Sequence, residues 1–203
     1  MSSIGEGRGA EPVCHSILTL LTTLETITVT AATTFDYATP YDIMVGVWTG
    51  MSTTYTPTGE YWGSVPSRVA IYWDIPGQVL RYKQDEFPGF DEILEKKHPN
   101  KSALKKIVTH DFDLEITGKG CVSRPNQEKV TCVGAETRPG IYLFHLHFPT
   151  FGHYYNNQYF VNPNERNIIG PFIPGAGHEP QFIVAQTFTR ISYDVPEEYR
   201  VSE

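Results

Sequence analysis

Alternation of apolar and polar positions governs the chain from residue 44 onward. The clearest instance is "SRVAIYWDIPGQVLRYKQDE", Ser67 to Glu86, in which Pro76-Gly77 supplies a turn between two alternating runs. Pairing about that turn sets Arg68 opposite Asp85, Ala70 opposite Lys83 and Tyr72 opposite Arg81 on one face. The other face carries Ile71 opposite Tyr82 and Trp73 opposite Leu80. A charged face backed by an aromatic and aliphatic one is the pattern of an antiparallel sheet with one side buried. The run "HDFDLEITG" continues it, with His110, Phe112, Leu114 and Ile116 on one side and Asp111, Asp113 and Glu115 on the other. "GIYLFHLHFPTFGHYYNNQYFVNP", Gly140 to Pro163, predicts two more strands joined near Pro149 to Gly152. Pairing there places His147 opposite Tyr154, His145 opposite Asn156 and Leu143 opposite Gln158. The opposite face then holds Tyr142, Phe144, Leu146 and Phe148 with Tyr155, Asn157 and Tyr159. "NPNERNIIGPFIPGAGHEP" reads as a loop, and Gln181 to Tyr193 as the last strand.

Two segments break the two-residue period. Val13, Ile17, Leu20, Leu21 and Leu24 fit one face of an N-terminal helix, and "FDEILEKKHPNKSALKKIV" predicts a short helical insert over 90–106, split at Pro99. Residues 1–12, small and Gly-rich, read as a disordered tail, and 13–203 as a single domain. Twelve Tyr and eleven Phe, with 17 Gly and 15 Pro spread along the chain, suit many short strands joined by turns. The fold class is therefore mainly β, an antiparallel barrel with an N-terminal helix and a short helical insert, since closure removes the exposed edges that so many strands would leave.

Charge narrows the partners. A net charge of −7, with no basic cluster beyond "KKHPNKSALKK", excludes a nucleic-acid surface. No apolar run reaches the length of a membrane span, and the N-terminus lacks a basic region ahead of its apolar stretch, so the chain reads as soluble and cytoplasmic. Three cysteines are too few for a disulfide framework. If the turn "RPNQEK" is centred between Asn126 and Gln127, Cys121 faces Cys132 across the strands, as two reduced buried thiols or as a bridge.

"VGVWTGMSTTY" opens the first barrel strand, and Arg190 lies on the last, in "FTRISY". Gly46-x-Trp48 together with Arg190 resembles the signature of the calycin superfamily, which includes the lipocalins. The resemblance implies that Trp48 plugs the closed end of the barrel and that Arg190 covers its ring. The strand also resembles, more loosely, the haem-binding nitrobindins, through Gly46, Trp48 and Gly50; Ser52 and Thr54 stand where further glycines are expected.

A barrel of about eight strands encloses side chains or one small ligand. The face expected to point inward carries Ile71, Trp73, Leu80, Tyr82, Phe144, Leu146, Tyr155 and Tyr159, with Asn157 among them: a lining for a flat or oily molecule. Trp73, Tyr82, Phe144, Asn157 and Tyr159 are the candidate ligand-binding residues. His145 and His147, two residues apart on a strand, share one side and suit acid–base work or a shared metal, with His153 or His178 as a third ligand. His110, on an apolar face, and Tyr155 complete the catalytic candidates. With no Walker loop, nucleophile elbow or dinucleotide fingerprint in the chain, the expected chemistry is cofactor-free: an isomerase, cyclase or lyase acting on a small hydrophobic molecule. A passive carrier of such a ligand, a barrel with a filled core, and a metal- or haem-binding barrel built on His-x-His remain as alternatives; an oligomer is compatible with all of them.

Overall fold

Ten alternating runs each bury one face, and in the computed structural model they join edge to edge into a closed barrel. The structure describes residues 37–87, 108–124, 129–149, 152–175 and 177–200. The expected N-terminal helix over 13–24, the helical insert over 90–106 and the tail 1–12 lie outside the described residues. In chain order the strands are β1 (Gly46–Tyr55), β2 (Tyr61–Ile75), β3 (Val79–Glu86), β4 (Val108–Thr117), β5 (Gly120–Ser123), β6 (Thr131–Arg138), β7 (Ile141–Phe148), β8 (Gly152–Asn162), β9 (Glu165–Ile173) and β10 (Phe182–Ser192). Each pairs antiparallel with the next, and β10 closes on β1.

The β2–β3 hairpin has the expected register throughout, Arg68 on Asp85, Ile71 on Tyr82 and Trp73 on Leu80. Gly77, at φ +70°, takes the left-handed turn position that other residues avoid. Three expectations need correction. β9 occupies what the sequence pattern left as a loop, because Asn, Gly and Pro dilute an alternation of Arg166, Ile168, Gly170 and Phe172 inward; the barrel has ten strands rather than about eight. Cys121 pairs with Gly134 rather than with Cys132, so the β5–β6 register is two residues off the expected one; both thiols are free and buried. The third lies between β7 and β8, where His145 pairs with Tyr155 and His147 with His153, one residue from the expected pairing. Because side chains alternate with a period of two, that single step sends Tyr155, Asn157 and Tyr159 to the outer face and brings Tyr154, Asn156, Gln158 and Phe160 inside.

One end of the barrel is sealed. A 3-10 turn, Asp42–Met44, places Tyr41, Ile43 and Met44 across it. Trp48, with 0% of its surface exposed, donates its indole N–H to the Met44 carbonyl at 2.8 Å. Arg190 lays its guanidinium over the Trp48 ring, 4.3 Å from the centroid, and donates to the Ile43 carbonyl. A tryptophan plug covered by an arginine from the last strand is thus present in the molecule.

Candidate functional site

The site is the interior of the barrel above that plug. Its floor is aromatic and carries charge: Phe188 from β10 and Phe160 from β8 pack beside Trp48, and Arg166 from β9 spreads its guanidinium 4.8 Å from the centroids of both Trp48 and Phe188. Higher up, the walls are rings held face to face or edge to face. Tyr82 stacks on Phe112 at 4.8 Å, Phe172 on Phe182 at 4.8 Å, and Phe148 meets the edge of His110 at 5.7 Å and tilts against Phe172 at 6.1 Å. Such contacts fix ring orientation beyond what simple burial does.

Polar groups run up the inner face of β3. Tyr82 donates to Gln84 Oε1 at 2.6 Å, and Gln84 Nε2 donates to Glu86 at 3.0 Å, toward the open end. Across the barrel, Gln186 Nε2 donates to Ser52 Oγ at 3.0 Å. Burial raises the Tyr82 phenol pKa while the nearby Arg166 charge opposes the rise; burial, with no cation opposing it, pushes the Tyr154 phenol well up. Both hydroxyls are therefore protonated donors at neutral pH. Burial also pushes the Arg166 guanidinium down to about 10, which leaves it charged at neutral pH.

Of the residues expected to line the pocket, Tyr82 and Phe144 face inward, and Phe144 stacks on the Tyr142 ring near the closed end. Trp73 faces the sealed end, where its indole N–H donates to Asp42 Oδ1 at 2.8 Å; it ties down the plug instead of meeting the lumen. Tyr155 and Tyr159, 42% and 44% exposed, and Asn157 stand on the outer wall. Of the expected acid–base groups, only His110 points into the barrel, half-buried on the inner face of β4. His145 and His147 lie outside with His153 and Tyr155 in one stack: His145 on Tyr155 at 4.7 Å, His147 on His153 at 4.7 Å, and His145 Nε2 hydrogen-bonded to His153 Nδ1 at 2.9 Å. His178, exposed in the β9–β10 connection, is not part of that stack. Among the described residues no group of three or more His, Cys, Asp or Glu is arranged to hold a metal ion.

Of the residues on the inner wall, the sequence pattern placed Phe112 correctly beside His110, put Tyr154 and Gln158 on the opposite face, and did not single out Arg166, Gln84 or Phe172. Arg166 was the most consequential omission. Its signal was present in the alternation Arg166, Ile168, Gly170, Phe172, a polar residue heading an inward apolar series.

No family model matches the chain, and no curated protein matches it in sequence. Solved structures do resemble it. The S-type phycobiliprotein lyase of Guillardia theta is 10% identical, with a TM-score of 0.51 over 77% of this chain and 91% of that one. A protein of unknown function from the DUF3598 family of Nostoc punctiforme is 12% identical, with a TM-score of 0.51 over 74% of this chain and 48% of that one. At these identities the likeness is one of fold: this chain is similar to those proteins in being a closed antiparallel barrel.

Proposed function

We propose that the barrel binds one small, largely apolar molecule in its interior. The observation that carries this reading is the contrast along the inner wall. Trp48, Phe188, Leu80 and Ile168 at the closed end are sealed, whereas Tyr82, His110, Phe148, Phe172 and Val184, also inward-facing, keep accessible surface. Accessible surface on inward residues toward the unsealed end is what a lumen not filled by its own side chains leaves. Aromatic walls with a few oriented hydroxyls and amides are the usual make-up of a small-molecule pocket.

An acid–base step on the bound molecule is a second reading. It is favoured by the Tyr82 hydroxyl, which lies within the field of Arg166 and is oriented by Gln84. The similarity in fold to a phycobiliprotein lyase is compatible with catalysis in such a barrel and names no substrate for this one. Tyr82 and His110 then replace His145, His147 and Tyr155 as the groups within reach of a bound molecule, and no cofactor enters the scheme.

Native mass spectrometry of freshly purified protein, set against its denatured mass, tests the binding reading. An additional small organic mass that is lost in Phe112→Trp or Phe172→Trp, which fill the lumen, is the expected result. The same mass retained in both variants would place the molecule elsewhere and overturn the reading. If turnover is found on the identified molecule, Tyr82→Phe abolishes it while leaving binding intact under the acid–base reading; equal turnover in that variant rejects Tyr82 as the acid.

A further inference from the structure

We infer that the molecule held in the barrel is an anion, a flat apolar carboxylate whose charged end is held by Arg166. This rests on the reading of the lumen as a ligand site and adds the chemical class of the ligand.

Arg166 has 0% of its surface exposed, and the polar group that approaches its guanidinium is the Tyr82 hydroxyl, whose proton goes to Gln84; no nitrogen of the fork makes a well-aligned hydrogen bond to an acceptor among the described residues. A guanidinium carries five N–H donors in a fixed fork and has no way to accept, so a buried one is costly unless an acceptor meets it. The rings of Trp48 and Phe188 offset part of that cost through their π-faces but offer no hydrogen bond. Arg68 pairs with Asp85, Arg81 with Asp111 and Asp113, and Arg124 with Glu115; Arg190 donates Nη2 to the Ile43 carbonyl, while its Nε and Nη1 have no partner among the described residues. Arg190 and Arg166 flank the same indole, but only Arg190 is tied to the backbone of the plug.

Other buried orphans on the inner wall point the same way. Ser67 Oγ, Tyr154 Oη and Gln158 Nε2, all inward-facing and buried, also lack partners among the described residues. The backbone register links Ser67 to Gly50, Gly50 to Phe188 and Phe188 to Arg166 in one row across four strands, and Gln158 lies one inward position along β8 from Phe160, the partner of Arg166. Donors outnumber acceptors in this group, with Asn156 Oδ1 the one unpartnered pure acceptor on the inner wall among the described residues. A surplus of donors around a fixed positive charge selects an anion, and the planar fork of arginine matches the two oxygens of a carboxylate. The inward carboxylate nearest the open end, Glu86, accepts from Gln84 instead of reaching Arg166. Since the guanidinium is sealed from solvent, the ligand's carboxylate reaches it by displacing the side chain beside it, and Tyr82, which is partly accessible from the lumen, is the one that turns aside.

Parinaric acid and its methyl ester, fluorescent polyenes that differ in the charged group, test the inference on the full chain. Wild-type protein is expected to bind the acid about tenfold more tightly than the ester, the scale of a charge-assisted hydrogen bond. Arg166→Gln is expected to lower affinity for the acid to that for the ester while ester affinity changes by less than about twofold, and Arg166→Lys to fall between. Equal affinity of the wild type for both probes, or a preference that survives in Arg166→Gln, overturns the inference and leaves the lumen reading standing. Failure of both probes to bind overturns the two together. Thermal unfolding of each variant establishes that it is folded; should Arg166→Gln not fold, the wild-type comparison and Arg166→Lys decide the matter.

Discussion

The inner and outer faces of β7 and β8 belong to the same two strands, yet they do different work. Inside, Phe144, Leu146, Tyr154 and Phe160 join a core that continues into the Trp48 plug. Outside, His145, His147 and His153 stack, half-buried, on one another and on the exposed Tyr155, and Leu143, Tyr159 and Ile141 stand exposed. The groups that look most like chemistry in the sequence, two histidines in alternation and a row of tyrosines, are on the wet side. Under the proposed reading, the groups that meet a ligand are amides, phenols and the Arg166 guanidinium on the buried side, where low dielectric makes each of them count for more. Residue type therefore says less about function here than which way the strand turns it.

The largest effects should come from the inner face at the plug. Trp48→Ala removes a fully buried indole and its bond to the Met44 carbonyl, and should cost about 3–5 kcal/mol in urea unfolding. A loss below about 1 kcal/mol would mean that the closed end is not organised around this ring.

The next contrast lies between the two arginines that flank it. Arg190→Leu leaves the Ile43 carbonyl without its donor and should cost about 1–3 kcal/mol. Arg166→Leu replaces a buried charge that has no carboxylate or carbonyl partner with an apolar group, and should leave stability unchanged or raise it. Equal losses from both substitutions would show that Arg166 belongs to the plug and not to the ligand site.

The smallest effect belongs to the outer face. Burial, followed by the charges of His153 and His147, lowers the pKa of His145 below its ordinary 6.5. The unfolded chain then binds the proton more readily than the folded one. The contribution of this group to stability is complete above 6.5 and is lost as pH falls through that value toward the folded pKa. The melting temperature should drop slightly between about pH 7.5 and about pH 5.5, and His145→Asn should flatten that change. A drop of the same size in the variant would assign it to other groups.

Much of the barrel was legible in the sequence because alternation is a local signal. The β2–β3 hairpin could be read residue by residue, since Pro76-Gly77 fixes its turn and the charged and apolar faces admit one register. The contact between Trp48 and Arg190, which was implied by the resemblance and not by the alternation, is present as well. The β7–β8 connection was not legible to the same degree. Both faces of β8 carry tyrosines and asparagines, so a shift by one residue costs nothing in pattern, and only packing against β9 and the core selects the register. That shift reversed the expected lining, moving Tyr155, Asn157 and Tyr159 outward. β9 stayed hidden for a related reason: its inner face bears an arginine and a glycine, the residues that single-strand reasoning reads as loop. The arginine lies against Trp48 and Phe188, and the glycine lets β9 approach Tyr154 and the Tyr155 carbonyl, so the strand that departs most from an apolar pattern is the one that carries the charge of the inner wall.

The most direct test of the division between faces is a titration of isotope-labelled protein with parinaric acid, followed by amide chemical shifts. Shifts concentrated at Tyr82, Phe112, Ile168 and Phe172, with His145, Tyr155, Asn157 and Tyr159 unmoved, are what a ligand inside the barrel predicts. Shifts centred on the outer four, with the inner four silent, would contradict it.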